Sequence, residues 1–135
     1  MRMETNLLII GAGPFGLALS AQASHQGLEH LIVGTPMEFW RQNMPKGMYL
    51  RSNCEWHLDP LNVHTIRSFI HAQGKTPADV EPLSLEFYQS YVDWFLEQKR
   101  IAPAPVTSVA WITRLRIATF LRPQTERPFM RDIDD

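Results

Sequence analysis

The first ordered signal along the chain is an unbroken apolar run, Leu7-Leu8-Ile9-Ile10, passing directly into Gly11-Ala12-Gly13-Pro14-Phe15-Gly16. A short continuous run of this kind predicts a buried strand, and the glycines after it predict a tight turn. A helix is predicted from about Pro14, because a proline in the first turn removes an N–H that has no partner there. Leu17, Ala18 and Ala21 give that helix an apolar stripe of mostly small residues, suited to close approach to a sheet. Gly27 is placed to end it. His30, Leu31, Ile32 and Val33 then predict a second strand, parallel to the first because a helix-length crossover joins the two.

Beyond this unit the pattern loosens. A helical turn or two is predicted from Met37 to about Asn43, and Pro45-Lys46-Gly47 marks a turn. Met48-Tyr49-Leu50 reads as a short strand-like piece. Residues 62–71 predict a helix, with Leu61, Ile66, Phe69 and Ile70 as its apolar positions and Gly74 after its end. A clearer helix is predicted from Ser84 to Gln98, with Ser84 as N-cap and Leu83 stapled to Tyr88. Phe87, Tyr91 and Phe95 recur at i, i+4 and i+8, and Tyr88, Val92 and Trp94 widen the stripe. Lys99 and Arg100 suit the negative end of the helix dipole. This stripe reads as a face that docks on the strand–helix–strand unit rather than as a ligand site.

Residues 106–110 and 116–121 are the remaining strand candidates, the first expected beside the two N-terminal strands. Residues 122–135 carry seven charged side chains and two prolines without periodicity. They are expected to be poorly ordered or loosely wrapped over the surface. The fold class expected is therefore α/β: a partial Rossmann-like domain over residues 1–121, followed by a charged tail.

Composition narrows the function classes. A chain of 135 residues is one domain at most, small for a complete redox enzyme. With 13 basic and 14 acidic residues and a net charge of -1, nothing favours nucleic acid or an anionic membrane as a partner. One cysteine, Cys54, allows neither an internal disulfide nor a Cys-x-x-Cys pair. The N-terminal apolar run is too short for a signal peptide or a membrane span, so a cytoplasmic setting is expected.

The strand-turn-helix context gives the Gly11-x-Gly13-x-x-Gly16 spacing a mechanism. Gly11 permits the turn, Gly13 lets the backbone approach a pyrophosphate, and Gly16 lets helix and strand pack closely. The anion would rest against unpaired N–H groups at the helix start. The tip of the second strand, Val33-Gly34-Thr35-Pro36, lacks the carboxylate that ordinarily accepts the ribose hydroxyls. Thr35 offers a weaker polar contact, and Glu38 comes a few residues late, able to help only if the loop folds back. Trp40, Met44 and Met48 can either wall a cofactor ring or cover the sheet edge. Arg41 and Arg51 can pair with phosphate or with surface carboxylates.

Other chemistry is not legible. His57, His64 and His71 recur every seven residues near Cys54, too far apart for the usual ligand spacings of zinc. No serine stands in a nucleophile-elbow context, and no cation or helix start is evident to stabilise a Cys54 thiolate.

The segments LLIIGAGPFGLALSA and LIVGTPMEFWRQNMPKGMYLRS together resemble the N-terminal part of FAD-dependent oxidoreductases with two dinucleotide domains. They are most similar to flavoprotein monooxygenases distantly related to lysine and ornithine N-hydroxylases. The resemblance runs on through Leu58-Asp59-Pro60, Thr65-Ile66-Arg67-Ser68-Phe69 and Leu83-Ser84-Leu85-Glu86-Phe87 to about Ala110. It implies that Gly11, Ala12, Gly13, Pro14, Phe15 and Gly16 cradle the FAD pyrophosphate. It also implies that residues around Thr35 face the adenosine end, and that Trp40 and Met44 line the path to the flavin. Such enzymes carry a second glycine motif for NAD(P)H and a substrate domain, and neither is present in this sequence. Three readings follow: an FAD-binding fragment needing a further domain or partner subunit, a small nucleotide- or protein-binding module without turnover, or an unrelated α/β protein with a cofactor-free glycine turn. A fragment with apolar faces left open would also tend to self-associate.

Overall fold

A computed structural model describes residues 5–105 of the chain. It opens with strand β1 (Leu7–Ile10), helix α1 (Pro14–His25) and strand β2 (His30–Val33). The strands are parallel, with Leu7, Leu8, Ile9 and Ile10 opposite His30, Leu31, Ile32 and Val33. This is a βαβ unit in a small α/β domain.

Side chains alternate across a strand, and here the two faces differ. Ile9 and Ile32 are buried in one cluster with Leu17 and Ala21 of α1. On the opposite face Leu8 and Leu31 are half-buried and Ile10 is 75% exposed, while Val33 opposite Ile10 is buried. β1 is therefore not buried along its whole length as its apolar run predicts. An all-apolar tetrapeptide hides this asymmetry, because no polar residue marks the uncovered side.

The sheet is extended at the outer edge of β2. The Ala104 N–H donates to the Ile32 carbonyl and the Gly34 N–H donates to the Ala104 carbonyl, both at 2.9 Å. Val33 and Ala104 thus form a parallel bridge. The strands expected at 106–110 and 116–121, and the tail at 122–135, lie outside the described residues.

Among the described residues four further helices follow: α2 (Glu38–Gln42), α3 (Ile66–His71), α4 (Pro77–Val80) and α5 (Leu85–Lys99). Residues 48–50 run antiparallel to 83–85, with Leu50 N–H donating to the Leu83 carbonyl at 2.8 Å and Leu85 N–H to the Met48 carbonyl at 2.9 Å. That pairing bears out the strand-like reading of Met48–Leu50.

α5 matches its predicted extent to within a residue. The Ser84 hydroxyl accepts the Phe87 N–H at 3.1 Å, and Arg100, in left-handed conformation, closes the C-terminus. Leu85, Tyr88, Tyr91, Val92 and Phe95 form its buried face. Phe87 and Trp94 pack around its edge against Phe69 of α3, at ring separations of 5.8 and 5.2 Å. The aromatic stripe thus joins the core that also contains Ile9, Ile32 and Leu17. Replacing Ser84 by alanine removes one cap acceptor and is expected to cost about 1 kcal/mol. In urea the unfolding midpoint should fall with an unchanged slope.

One helix boundary expected from sequence needs correction, and one helix was missed. The helix predicted over 62–71 begins only at Ile66, because Asn62 takes a left-handed φ of 56° and residues 61–64 give their N–H groups to Asp59. Thr65 supplies the cap, accepting the Ser68 N–H at 3.0 Å. Sequence reading also missed α4. Its signal was present: Thr76-Pro77-Ala78-Asp79 is a capping box with proline at the first position.

Candidate functional site

The glycine turn joins the end of β1 to α1 beside the end of β2. Gly11 adopts a φ of 108°, and its N–H donates to the Val33 carbonyl at 2.8 Å. Ala12 is buried, and its carbonyl accepts the Met37 N–H at 2.9 Å. The loop after β2 therefore folds back onto the turn.

The three glycines do different work. A Cβ at Gly16 would stand 2.0 Å from the Gly11 carbonyl oxygen and 3.5 Å from the Ile9 side chain. Only glycine permits this approach of helix to strand. Gly13 is the opposite case: its φ of -80° suits any residue, and a Cβ there meets nothing within 4 Å. Open space lies in front of it.

Gly13 is the N-cap of α1, and no side chain caps the helix. Leu17 N–H closes the first turn on the Gly13 carbonyl at 3.0 Å, and Pro14 has no N–H to offer. Among the described residues, the N–H groups of Gly13, Phe15 and Gly16 have no hydrogen-bond partner. These are the orphan donors of a helix start, aligned with the positive end of its dipole. No Asp, Glu, Lys or Arg occurs between Thr5 and Ser24, so any anion held here would be met by backbone N–H groups alone. Phe15 is 91% exposed.

The other candidate residues lie on the loop after β2. Thr35 is exposed, and its carbonyl accepts the Glu38 N–H at 3.2 Å. Trp40 stacks on Tyr88 with ring centroids 5.4 Å apart and packs against the core. Its placement accords with cover over α5. Met44 and Met48 are half-buried. Arg41 pairs with Asp93 of α5, and Arg51 is exposed. The turn, Thr35 and the start of α2 are thus gathered at one end of the sheet. Among the described residues, open grooves lie elsewhere, along Arg67–Lys75 and between Tyr49 and Val80–Ser84.

The histidines and Cys54 do not converge. Among the described residues no three His, Cys, Asp or Glu side chains group around a common point. Cys54 is buried and its thiol is pushed up to about 11, first by burial and then by the adjacent Glu81 carboxylate. It is a thiol, not a thiolate, at neutral pH.

A polar hub escaped the sequence reading. Asp59 is buried, and its carboxylate accepts N–H groups from Leu61, Val63 and His64 at 3.0, 3.2 and 2.7 Å. The Lys99 ammonium stands 2.9 Å away. The Tyr91 hydroxyl donates to the His64 carbonyl at 2.8 Å and accepts the Leu58 N–H at 3.0 Å. Burial works to raise the Asp59 pKa, but the His64 N–H and Lys99 outweigh it and hold the carboxyl at about 2. The hub ties residues 57–65 to α5, which in turn supports the sheet. A loop aspartate capping its own following backbone is a common turn device.

No protein-family model, curated protein or solved structure matches this chain.

Proposed function

We propose that the chain is the FAD-binding N-terminal portion of a flavin-dependent oxidoreductase or monooxygenase. The pyrophosphate would rest on the turn from Gly11 to Gly16 and the start of α1. The observation that carries this reading is Gly13. Neither backbone conformation nor packing calls for glycine there, whereas a phosphate approaching the free N–H groups of Gly13, Phe15 and Gly16 does. The open space in front of Gly13 leaves room for a phosphate to reach those N–H groups.

Within this reading the chain's own residues bind and orient. The Gly11–Val33 and Ala12–Met37 hydrogen bonds hold the turn open, and the unpaired N–H groups receive the anion. Bound flavin supplies the electron-transfer chemistry, and the protein positions it against donor and acceptor. Exposed apolar side chains at Ile10, Phe15 and Leu19 fit a redox unit completed by a further domain, a partner subunit or a second copy.

Titration of the protein with FAD, followed by flavin fluorescence, tests the reading, with FMN as the mononucleotide control. Saturable binding of FAD in preference to FMN is expected. Gly13→Ala should weaken FAD binding roughly tenfold or more, since each 1.4 kcal/mol is tenfold in affinity. Its urea stability should stay the same or rise by up to about 1 kcal/mol, because the native φ suits alanine. Absence of FAD binding, or a Gly13→Ala protein that binds as well as the original, contradicts it.

A further inference from the structure

A second concave surface lies on the segment that joins α3 to α4. Arg67 and His71 are four residues apart on α3 and so share one side of that helix. The helix then ends in a glycine closure. Gly74 takes a φ of 70°, its N–H donates to the His71 carbonyl, and the Lys75 N–H reaches back to the Ile70 carbonyl, both at 3.0 Å. Such a closure folds the chain back onto the helix end, and it brings Lys75 into one groove with Arg67 and His71. Thr76 and Pro77, at the start of α4, complete the lining.

The groove holds about 510 Å³, within the range of small-molecule sites. Among the described residues its lining comes wholly from positions 67 to 77. α3 has 6 residues and is about 9 Å long. That length suits a small molecule, since an extended peptide takes up about 3.3 Å per residue.

The charge of this lining is one-sided: Arg67, His71 and Lys75 contribute to it, and among the described residues no carboxylate does. The nearby acids are engaged elsewhere. Glu55 pairs with Nε and Nη2 of Arg67, leaving Nη1. Asp79 accepts the Thr76 N–H at 2.8 Å and the Thr76 hydroxyl at 2.9 Å, and feels Lys75 as a neighbouring charge. Glu81 lines the adjoining groove, which Lys75 also borders, and accepts the Cys54 N–H at 3.0 Å. The Ser68 hydroxyl is spent on the Val63 carbonyl at 2.9 Å. The polar groups left to meet a ligand are therefore the basic ones, and both His71 and Lys75 are exposed. Beside them Ile70, Ala72 and Pro77 supply apolar wall.

We propose that this groove binds a small organic carboxylate, with its head group on Lys75, His71 and Arg67 and its apolar body on Ile70, Ala72 and Pro77. A carboxylate is planar, matches the fork of an arginine and accepts charge-assisted hydrogen bonds from lysine. The apolar wall rewards a carbon skeleton that a bare anion lacks. The site is separate from the glycine turn and does not depend on what that turn binds.

The test is an amide-resolved NMR titration of the full chain with 4-phenylbutyrate. The controls are 4-phenylbutanol, which has the body without the charge, and acetate, which has the charge without the body. Amides from His71 to Thr76 are expected to shift progressively and saturate with 4-phenylbutyrate, while those of Gly13, Phe15 and Gly16 stay in place. Each control should bind roughly tenfold or more weakly. Lys75→Gln should weaken 4-phenylbutyrate about three- to fivefold, the range of an exposed ion pair, and Lys75→Glu should abolish saturation. Because Lys75 is exposed, the urea midpoint of either variant should not move. The proposal is overturned if residues 67–77 show no saturable shift. Equal binding of the alcohol or of acetate, or full affinity in Lys75→Gln, overturns it as well. The probe contains no nucleotide, so each of these results leaves the FAD reading untouched.

Discussion

Replacing Asp59 by alanine is expected to destabilise the protein by about 3–5 kcal/mol, the cost of breaking a buried ion pair from one side. The substitution strands the Lys99 ammonium, 12% exposed, without its counter-charge. It also leaves the N–H groups of Leu61, Val63 and His64 without their acceptor. A loss of this size is a large part of the stability of a small domain, so loosening of residues 57–65 from α5 should spread to the sheet. Urea unfolding followed by tryptophan fluorescence measures it. Lys99→Met in the same chain should recover part of the loss, because an apolar side chain of similar length leaves no buried charge behind.

The same carboxylate gives a signed pH dependence. Its folded-state pKa of about 2 lies below the ordinary value of about 3.9 for an unfolded aspartate. The contribution is therefore fully present above about pH 4 and is lost as pH falls toward 2. The difference is worth about 2–3 kcal/mol. In Asp59→Ala this part of the acid sensitivity should be absent.

Gly16→Ala is expected to have the second largest effect, and of a different kind. The new methyl would lie 2.0 Å from the Gly11 carbonyl oxygen, an overlap with backbone that no rotamer relieves. α1 must move off β1, opening the contact of Leu17 and Ala21 with Ile9 and Ile32. Overpacking on this scale costs about 3 kcal/mol. The orphan N–H groups move with the helix, so affinity for FAD should fall together with stability. The contrast with Gly13→Ala is the informative part. One glycine is required by packing, and the other is required only when something occupies the space in front of it. Measuring urea stability and FAD binding for both variants separates the roles: stability should drop in Gly16→Ala alone.

The βαβ unit was legible because its signals are local. Four apolar residues, a glycine turn, a proline at the helix start and a second apolar run each act over a few residues, and the observed β1, α1 and β2 agree with them. α5 was legible for the same reason, through the Ser84 cap and the i, i+4 aromatic stripe. The start of α3 was not. Its true boundary is set by Asp59, which draws the N–H groups of Leu61, Val63 and His64 out of any helix, and that aspartate is held in place by Lys99 from α5. Partners 40 residues apart leave no periodic trace. The candidate site divides in the same way. The glycine spacing announced the turn, but the return of Met37 to Ala12 depends on a buried side chain and a left-handed backbone. Nothing in the local pattern of Pro36-Met37-Glu38 indicates either. The packing of Trp40 was hidden for a similar reason, since its stacking partner Tyr88 lies far along the chain.

The account turns on whether the glycine turn receives a dinucleotide, and amide-resolved NMR during FAD titration addresses that most directly. The account predicts that the amides of Gly13, Phe15 and Gly16 shift progressively and saturate, with smaller shifts at Thr35 and Glu38, while α3 and α4 stay unchanged. Unmoved amides from Gly11 to Gly16 at saturating FAD, or shifts confined to the groove along Arg67–Lys75, would contradict it.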